Sequence, residues 1–219
     1  AYAFAAFYKV GPPAEVVAQP EFANPLFLHL ICRAAVNMRW DRIPSGQISL
    51  IKLITAILDG ANGKAAELLD FDVRIENPVR DGAQALAKAM GQKGVRLLPL
   101  ADAQTILAGV RSSQGVSRSL LRAMEEADLV SVASDSGTPF LRFAFERLGD
   151  VLIAQASITG QDKATVSTRF LSGDLAALVA TPDAVSENAG LIQAYSILLP
   201  ELHGIEIANL LRGTTTDLE

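Results

Sequence analysis

The chain has 219 residues, of which half are hydrophobic and 20% are charged, and its formal net charge is −5 at pH 7. This composition excludes a disordered chain, and no apolar run reaches the roughly 18 residues that a membrane-spanning helix needs. A single cysteine, Cys32, and two isolated histidines, His29 and His203, exclude a disulfide framework and a zinc finger.

The charge distribution and the start of the chain indicate which partners and which compartment to expect. Residues 78–158 hold nine Lys and Arg against eight Asp and Glu, so the middle of the chain is nearly neutral. Because binding to a phosphate backbone usually needs a clearly basic face, nucleic acid is an unfavoured partner. The chain begins at Ala1 directly in a helix-like apolar stretch, so we expect a piece of a longer, cytoplasmic protein without membrane contact.

The first third of the chain predicts helices. Residues 2–10 form one that Gly11 closes, and a short helical turn is expected before Pro20. Asn24 followed by Pro25 is typical of a helix start, because the asparagine side chain caps the helix and the proline lacks an N–H group at a position that needs none. The helix that follows is apolar nearly all round, which predicts burial.

A third helix is expected from about residue 48 to residue 69, with Gly60 and Gly63 as positions that weaken or kink it. Asn77-Pro78 repeats the helix-start signal, and the helix that follows is expected to end within residues 91–94.

The middle of the chain alternates helices with short extended runs. A short strand, two helices, two strands and a further helix are predicted, in that order, at residues 96–100, 101–110, 116–124, 129–133, 140–144 and 145–156. Turn-forming residues at 135–139 join the two later strands into a β-hairpin. This is the element order of a winged helix, a variant of the helix-turn-helix. Beyond Gly160 the chain is helical again, with breakers at Gly173 and Pro182.

The predicted fold is therefore mainly α, with one small β-hairpin or sheet. We divide it into a helical region at residues 1–73, a winged-helix domain at residues 74–158 and a helical connector at residues 159–219.

Three local patterns imitate catalytic or binding motifs. Residues 60–65 contain two glycines and Lys64, but they lack the spacing and the hydroxyl of a P-loop and fall within a predicted helix, so this chain has no Walker A motif of its own. Residues 135–138 resemble the D-[ST]-G loop of aspartic proteases, which a single copy could complete only in a homodimer, and a simple turn explains them better.

Arg111, Arg118 and Arg122 surround the helix that would read DNA in a winged-helix regulator. Acidic residues follow at 125, 126 and 128, so a solvated mixed-charge face is the favoured interpretation. His29 is expected to be a hydrogen-bonded core histidine, His203 a loop residue and Cys32 a small core side chain.

Three stretches taken together resemble one family. Residues 21–34 are similar to the F-x-NPLFL-x-L-x-C-x-A helix start of bacterial STAND ATPases, the P-loop NTPases that include NACHT-type and apoptotic-ATPase-type switches. Residues 143–154 resemble their F-x-Y/F-E-R-x-x-D-x-L-x-A segment, which ends the winged helix. Residues 199–206 resemble an LPE-x-x-G-x-E element farther along.

The resemblance implies that this chain is the regulatory arm of a signalling or defence ATPase, which works by conformational switching and self-association. Residues 1–73 would be its helical lid. The resemblance also implies that the P-loop, with ATP or ADP and Mg, belongs to an upstream part of the same chain, and that the parent forms a homo-oligomer. Asn24 and Pro25 then contact the nucleotide in the intact parent only, and this chain holds no cofactor, metal or catalytic residue of its own. An N-terminal dipole and free N–H groups at this helix start agree with an anion nearby.

The resemblance has one departure, and one function from another class stays open. NACHT-type relatives place a nucleotide-sensing histidine where this chain has Phe145. The alternative function is a winged-helix DNA-binding transcriptional regulator.

Overall fold

The computed structural model describes residues 2–12, 24–43, 50–112 and 119–212. The chain divides into two compact units, Ala1–Glu146 and Arg147–Glu219. The predicted boundary at residues 73/74 falls inside the first unit and that at residues 158/159 inside the second, and the three-part division stays a prediction. The helical turn expected before Pro20 lies outside the described residues.

Six α-helices and three strands build the described part of the first unit. Its helices are α1 (Tyr2–Tyr8), α2 (Pro25–Asn37), α3 (Leu50–Leu69), α4 (Pro78–Lys93), α5 (Leu100–Val110) and α6 (Leu120–Glu126), and its strands are β1 (Leu98–Pro99), β2 (Val130–Asp135) and β3 (Thr138–Phe143). The predicted mainly α fold with a small β-sheet is confirmed.

Helix α3 runs unbroken through both of its glycines, so the predicted weakening at Gly60 and Gly63 does not interrupt it. At Gly60 the missing side chain allows α2 to approach, because a Cβ there would lie 3.1 Å from the Cα of Ala34. The Asn37 side chain donates to the Gly60 carbonyl at 2.8 Å, which fixes the two helices at this close distance.

The two asparagine-proline pairs begin helices as predicted. Asn77 accepts a hydrogen bond from the Arg80 N–H at 3.1 Å and caps α4. The end predicted for α4 within residues 91–94 is confirmed: the helix ends at Lys93, and Gly94 caps it at φ +64°.

Asn62, 3% exposed, joins α3 to the start of α4. Its side chain donates to the Glu76 carbonyl at 3.0 Å and accepts from the Val79 N–H at 3.3 Å. Both ends of this buried amide are thereby satisfied.

The sheet is antiparallel with strand order β1-β3-β2. Ser136 and Gly137 form the tip of the β2–β3 hairpin, both at positive φ (+49° and +85°), which matches the right-handed twist of paired strands. β1 has only two residues, which pair with Leu141 and Phe140, so it is shorter than the predicted strand.

The described part of the second unit is helical. It comprises α7 (Glu146–Ile158, whose first residue closes the first unit), α8 (Lys163–Leu171), a 3-10 helix (Asp174–Val179), α9 (Pro182–Glu187), α10 (Ala189–His203) and α11 (Ile207–Arg212). Among the described residues, no helix has the length and apolar character to cross a bilayer.

Tyr195 on α10 is a central contact of the second unit. Its ring meets Phe170 edge to face at 5.0 Å, and its hydroxyl lies 2.6 Å from the Ser157 hydroxyl. Burial raises the pKa of this phenol, and the Ser157 hydrogen bond opposes that rise. The tyrosine thus satisfies its polar atom while burying its ring.

Gly190 allows α10 to pack closely on α7. Arg147 donates to its carbonyl at 2.9 Å, and a Cβ at this position would overlap Oδ2 of Asp150 and lie 2.9 Å from Cγ. Because Asp150 is only 3% exposed, its carboxylate has little room to move away. Arg147 and Asp150, two charged residues of the F-x-F-E-R-x-x-D segment, therefore both contact Gly190 at the start of α10.

We expect Gly190→Ala to lower the free energy of unfolding by about 1–3 kcal/mol through overpacking. Urea unfolding followed by circular dichroism measures the loss, and hydrogen exchange of α10 places it in the second unit. Gly63→Ala is the control, since a Cβ there meets nothing within 4 Å. It should stabilise the chain by about 0.5–1 kcal/mol through helix propensity. Equal effects of the two substitutions would contradict this account.

Candidate functional site

The start of α2 is where the sequence places a nucleotide contact. Asn24 and Pro25 are both exposed. Asn24 caps the helix, since its Oδ1 accepts from the N–H groups of Leu26 at 2.9 Å and Phe27 at 3.2 Å. Pro25 occupies the first helical position, as predicted.

The expectation of free N–H groups at this helix start is wrong. Pro25 has none, Leu26 and Phe27 donate to the Asn24 side chain, and Leu28 donates to the Asn24 carbonyl at 3.0 Å. An anion here would meet the helix dipole and an asparagine, but no backbone cradle. These residues alone do not fit a phosphate group, and a nucleotide role for Asn24 and Pro25 stays a prediction.

Within the first turn of α2, an aromatic contact brings two sequence motifs together. The rings of Phe27 and Phe145 lie 5.4 Å apart at a tilt of 43°, and the two residues are 0% and 7% exposed. Phe27 belongs to the NPLFL helix start and Phe145 to the F-x-F-E-R segment. They are 118 positions apart in the sequence, so only the fold joins them.

A set of polar side chains, here called the His29 cluster, lies around the next turns of α2. It consists of Tyr8 on α1, His29 and Arg33 on α2, and Asp128 in the turn between α6 and β2. The Tyr8 hydroxyl lies 2.6 Å from Nδ1 of His29, and Oδ2 of Asp128 lies 3.2 Å from Nε2 of His29. Nη1 of Arg33 donates to the same carboxylate oxygen at 2.8 Å.

One arrangement of hydrogens satisfies the whole His29 cluster. With neutral His29 protonated on Nε2, the ring donates to Asp128 and accepts from the Tyr8 hydroxyl at Nδ1. Arg33 and His29 then both donate to the carboxylate, so their mutual approach of 3.3 Å is a contact between donors and not a hydrogen bond. His29 is hydrogen-bonded as predicted, but its side chain is 31% exposed, so it lies at the edge of the core.

The environment of Tyr8 suits a structural donor better than a nucleophile. Burial raises the pKa of its phenol; Arg33 opposes this rise, and Cys32 and Asp128 add to it. The phenol therefore stays protonated at neutral pH and continues to donate to His29. Cys32 is fully buried, as expected, and burial raises the pKa of its thiol as well.

Sequence reasoning identified only one member of the His29 cluster. The spacing of His29 and Arg33, four residues apart on an otherwise apolar helix, was a signal of a polar contact on that face. Tyr8 and Asp128 gave no such signal, because Asp128 follows two other acidic residues and is 99 positions from His29.

The imitations of other motifs have structural roles. Residues 60–65 lie inside α3, where Lys64 donates to the Glu126 carbonyl at 2.7 Å. Residues 135–138 surround the hairpin tip. Within the described residues, no group of three or more His, Cys, Asp or Glu is placed to hold a metal.

Two of the three arginines around α6, those that the structure describes, are engaged within the chain. Arg122 pairs with Glu126 at 2.9 Å, and Arg111 pairs with Glu76 while its guanidinium lies over the Phe71 ring at 5.1 Å. Arg118 lies outside the described residues.

Comparison of the chain with known protein families, with curated proteins and with solved structures found no match.

We expect Asn24→Ala to lower the free energy of unfolding by about 1 kcal/mol, the usual effect of losing an N-cap. Asn24→Asp keeps the acceptor oxygen and should remain close to the original protein. Urea unfolding of the three proteins measures both values. If the aspartate variant lost as much as the alanine variant, the capping role would be refuted.

Proposed function

We propose that this chain is the regulatory arm of a nucleotide-dependent signalling or defence ATPase of the STAND type. The arm consists of a helical lid, a winged helix and a helical connector, and it acts by conformational switching and self-association. The P-loop belongs to an upstream part of the same protein, with ATP or ADP and Mg. The arm itself makes no covalent chemistry.

The contact between Phe27 and Phe145 is the observation that carries this proposal. Two of the three stretches that resemble STAND ATPases, far apart in the chain, pack on each other through buried rings 5.4 Å apart. A shared function at this junction explains why both patterns occur in one chain. If the two stretches were unrelated helix starts, there would be no reason for them to pack on each other.

The order of elements in the first unit supports the winged-helix part of the proposal. α4, β1, α5, α6 and the β2–β3 hairpin follow one another, and β3 lies between β1 and β2 in an antiparallel sheet. This is the arrangement expected of that variant of the helix-turn-helix.

The proposed mechanism is differential packing. α2 begins at the exposed pair Asn24 and Pro25, and two residues later its Phe27 contacts Phe145 beside the sheet. A change at the exposed start would shift α2 against the sheet only if the two nucleotide states differ in their interaction with it. The Phe145 side chain has no polar atom, so phosphate sensing by a side chain at this position is not part of the mechanism.

The alternative, a DNA-binding winged-helix regulator, has weaker support. Base reading requires free side chains on the second of the two adjacent helices, and there Arg122 is paired with Glu126. The nearby Arg111 is paired with Glu76. The coding sequence upstream of Ala1 separates the two functions, because G-x-x-x-x-G-K-[ST] there supports the ATPase and its absence supports the regulator.

We expect the 219-residue chain to bind neither ATP nor ADP at micromolar concentration, because it lacks the P-loop cradle and its lysine. In the longer protein, Pro25→Ala should reduce the nucleotide that co-purifies and keep the fold, since this change costs about 1 kcal/mol or less. Calorimetry on the chain and chromatography of nucleotide released from the longer protein measure the two results.

Pro182→Ala is the matched control, because Pro182 also occupies an exposed first helical position. It should leave nucleotide occupancy unchanged. Tight binding by the 219-residue chain, or unchanged occupancy in Pro25→Ala, would refute the role given to the start of α2.

A further inference from the structure

The two edges of the sheet in the first unit differ in how they are protected. β1 forms one edge, and it has only two residues, one of which is Pro99. β2 forms the other edge with six residues, which include no proline and no lysine. Short strands, prolines and lysines are common devices that keep a sheet edge from pairing with another chain. The β2 edge has none of them.

The backbone groups of Val132 and Ser134 face away from β3. The N–H of Ala144 donates to the Leu129 carbonyl at 2.9 Å, so this pair is hydrogen-bonded, and the one-to-one register repeats such pairing at every second residue of β2. The alternate residues, which include Val132 and Ser134, therefore direct their N–H and C=O groups outward. In the described part of the chain these outward groups have no hydrogen-bond partner.

This stretch of β2 is open to solvent. Val132 is 40% exposed, and Ala133 and Ser134 are exposed as well. The register with β3 continues from Val130 to Asp135 without a bulge, so no local kink turns the edge away from an approaching strand. An extended strand can therefore add to the sheet here through backbone hydrogen bonds.

We propose that the strand that adds to this edge is β2 of a second copy of the chain, in an antiparallel pair centred on Ala133. A twofold axis then passes between the two Ala133 residues. Val132 of each copy exchanges both of its outward hydrogen bonds with Ser134 of the other copy. The small Ala133 side chains meet at the centre of the pair, where they leave room for the two strands to approach.

The charges favour a second copy over an unrelated peptide. Asp135 is the only charged residue of β2, and the twofold arrangement places its two copies at opposite ends of the strand pair. Asp135 then stands opposite Ser131 of the second copy, whose hydroxyl accepts from Nε of Arg142 at 3.3 Å. Each copy thus brings an acidic residue in line with a basic residue of the other, and no like charges stand opposite each other.

The pairing is weak in the isolated chain, because two short strand edges bury less surface than the roughly 1,200 Å² of a stable interface. In a homo-oligomer of the longer protein the copies are held close together, which raises their effective concentration and favours the pairing.

The β2 pair deepens the proposed function, on which its regulatory meaning rests, because it names a surface for the self-association. The pairing itself is a property of this chain and is tested without nucleotide. Failure of the pairing and failure of the proposed function are therefore separate results.

Disulfide crosslinking of the folded 219-residue chain tests both the partner and the register. In Ala133→Cys the two new thiols face each other across a pair without hydrogen bonds, where the Cα atoms are about 4.5 Å apart and a disulfide can form. Ser134→Cys is the matched control, also at an exposed position. Its two thiols are two residues out of register, with Cα atoms roughly 8 Å apart, which is too far for a disulfide.

We expect Ala133→Cys to form the crosslinked dimer at least about tenfold faster than Ser134→Cys at equal protein concentration, because pairing raises the local concentration of the thiols. Gel electrophoresis without reductant measures both rates under mild oxidation. The original chain should not crosslink, since Cys32 is buried.

A proline at position 134 tests whether the contact uses the backbone edge. Ser134→Pro, added to Ala133→Cys, removes an outward N–H group and keeps the ladder to β3, because that N–H does not face β3. It should lower the crosslinking rate to that of the Ser134→Cys control. Ser134→Ala, added in the same way, keeps the N–H group and should leave the rate unchanged.

Two results would overturn the pairing. Equal crosslinking rates of Ala133→Cys and Ser134→Cys would show that the thiols meet by random collision and that a second copy does not occupy the edge. An undiminished rate in the folded proline variant would show that the contact does not use the β2 backbone. If circular dichroism shows that the proline variant does not fold, the comparison of the two cysteine variants decides alone.

Discussion

The burial of the apolar side chains of α2 is the constraint on which the rest of the first unit depends. Seven of its thirteen residues are buried, and each large apolar side chain among them contributes about 1.5–3 kcal/mol. A helix with so many buried apolar side chains must pack on more than one side, and α1, α3 and the sheet region supply these contacts. Its two ends, and the part-exposed face that carries His29 and Arg33, are where it can meet solvent or a partner.

Two kinds of contact attach α2 to its neighbours. Against α3 the contact is close and mostly apolar, made possible by the missing side chain of Gly60. Towards the sheet it is an aromatic pair at Phe145, and towards the α6–β2 turn it is the His29 cluster. The strength of the apolar contacts changes little with salt concentration, whereas half-exposed charge pairs weaken as salt is added and as the two groups move apart. The structure thus combines a firm attachment of α2 with an adjustable one.

Local signals made much of the fold predictable. Asn24-Pro25 and Asn77-Pro78 begin helices because the cap and the proline act within one turn, and the hairpin forms at Ser136-Gly137 because both residues accept positive φ. The strand at residues 96–100 was overestimated, since its length is set by pairing with β3 and not by its own residues.

The candidate site was only partly predictable. Asn24 and Pro25 begin the helix as predicted. The sequence did not show that the N–H groups of the first turn would all be hydrogen-bonded, because this depends on the side-chain rotamer of Asn24. The Tyr8 and Asp128 contacts depend on how distant segments pack, as does the meeting of Phe27 with Phe145. Sequence patterns identify helix faces, and the fold decides which faces meet.

The central claim is that α2 packs differently against the sheet region in the two nucleotide states of the longer protein. Hydrogen exchange of α2 amides, measured with ADP bound and with a non-hydrolysable ATP analogue bound, tests it most directly. We predict protection of residues 25–37 that differs by at least about tenfold between the two states, while α10 is unchanged. Equal protection of α2 in both states, with nucleotide shown to be bound, would contradict the account.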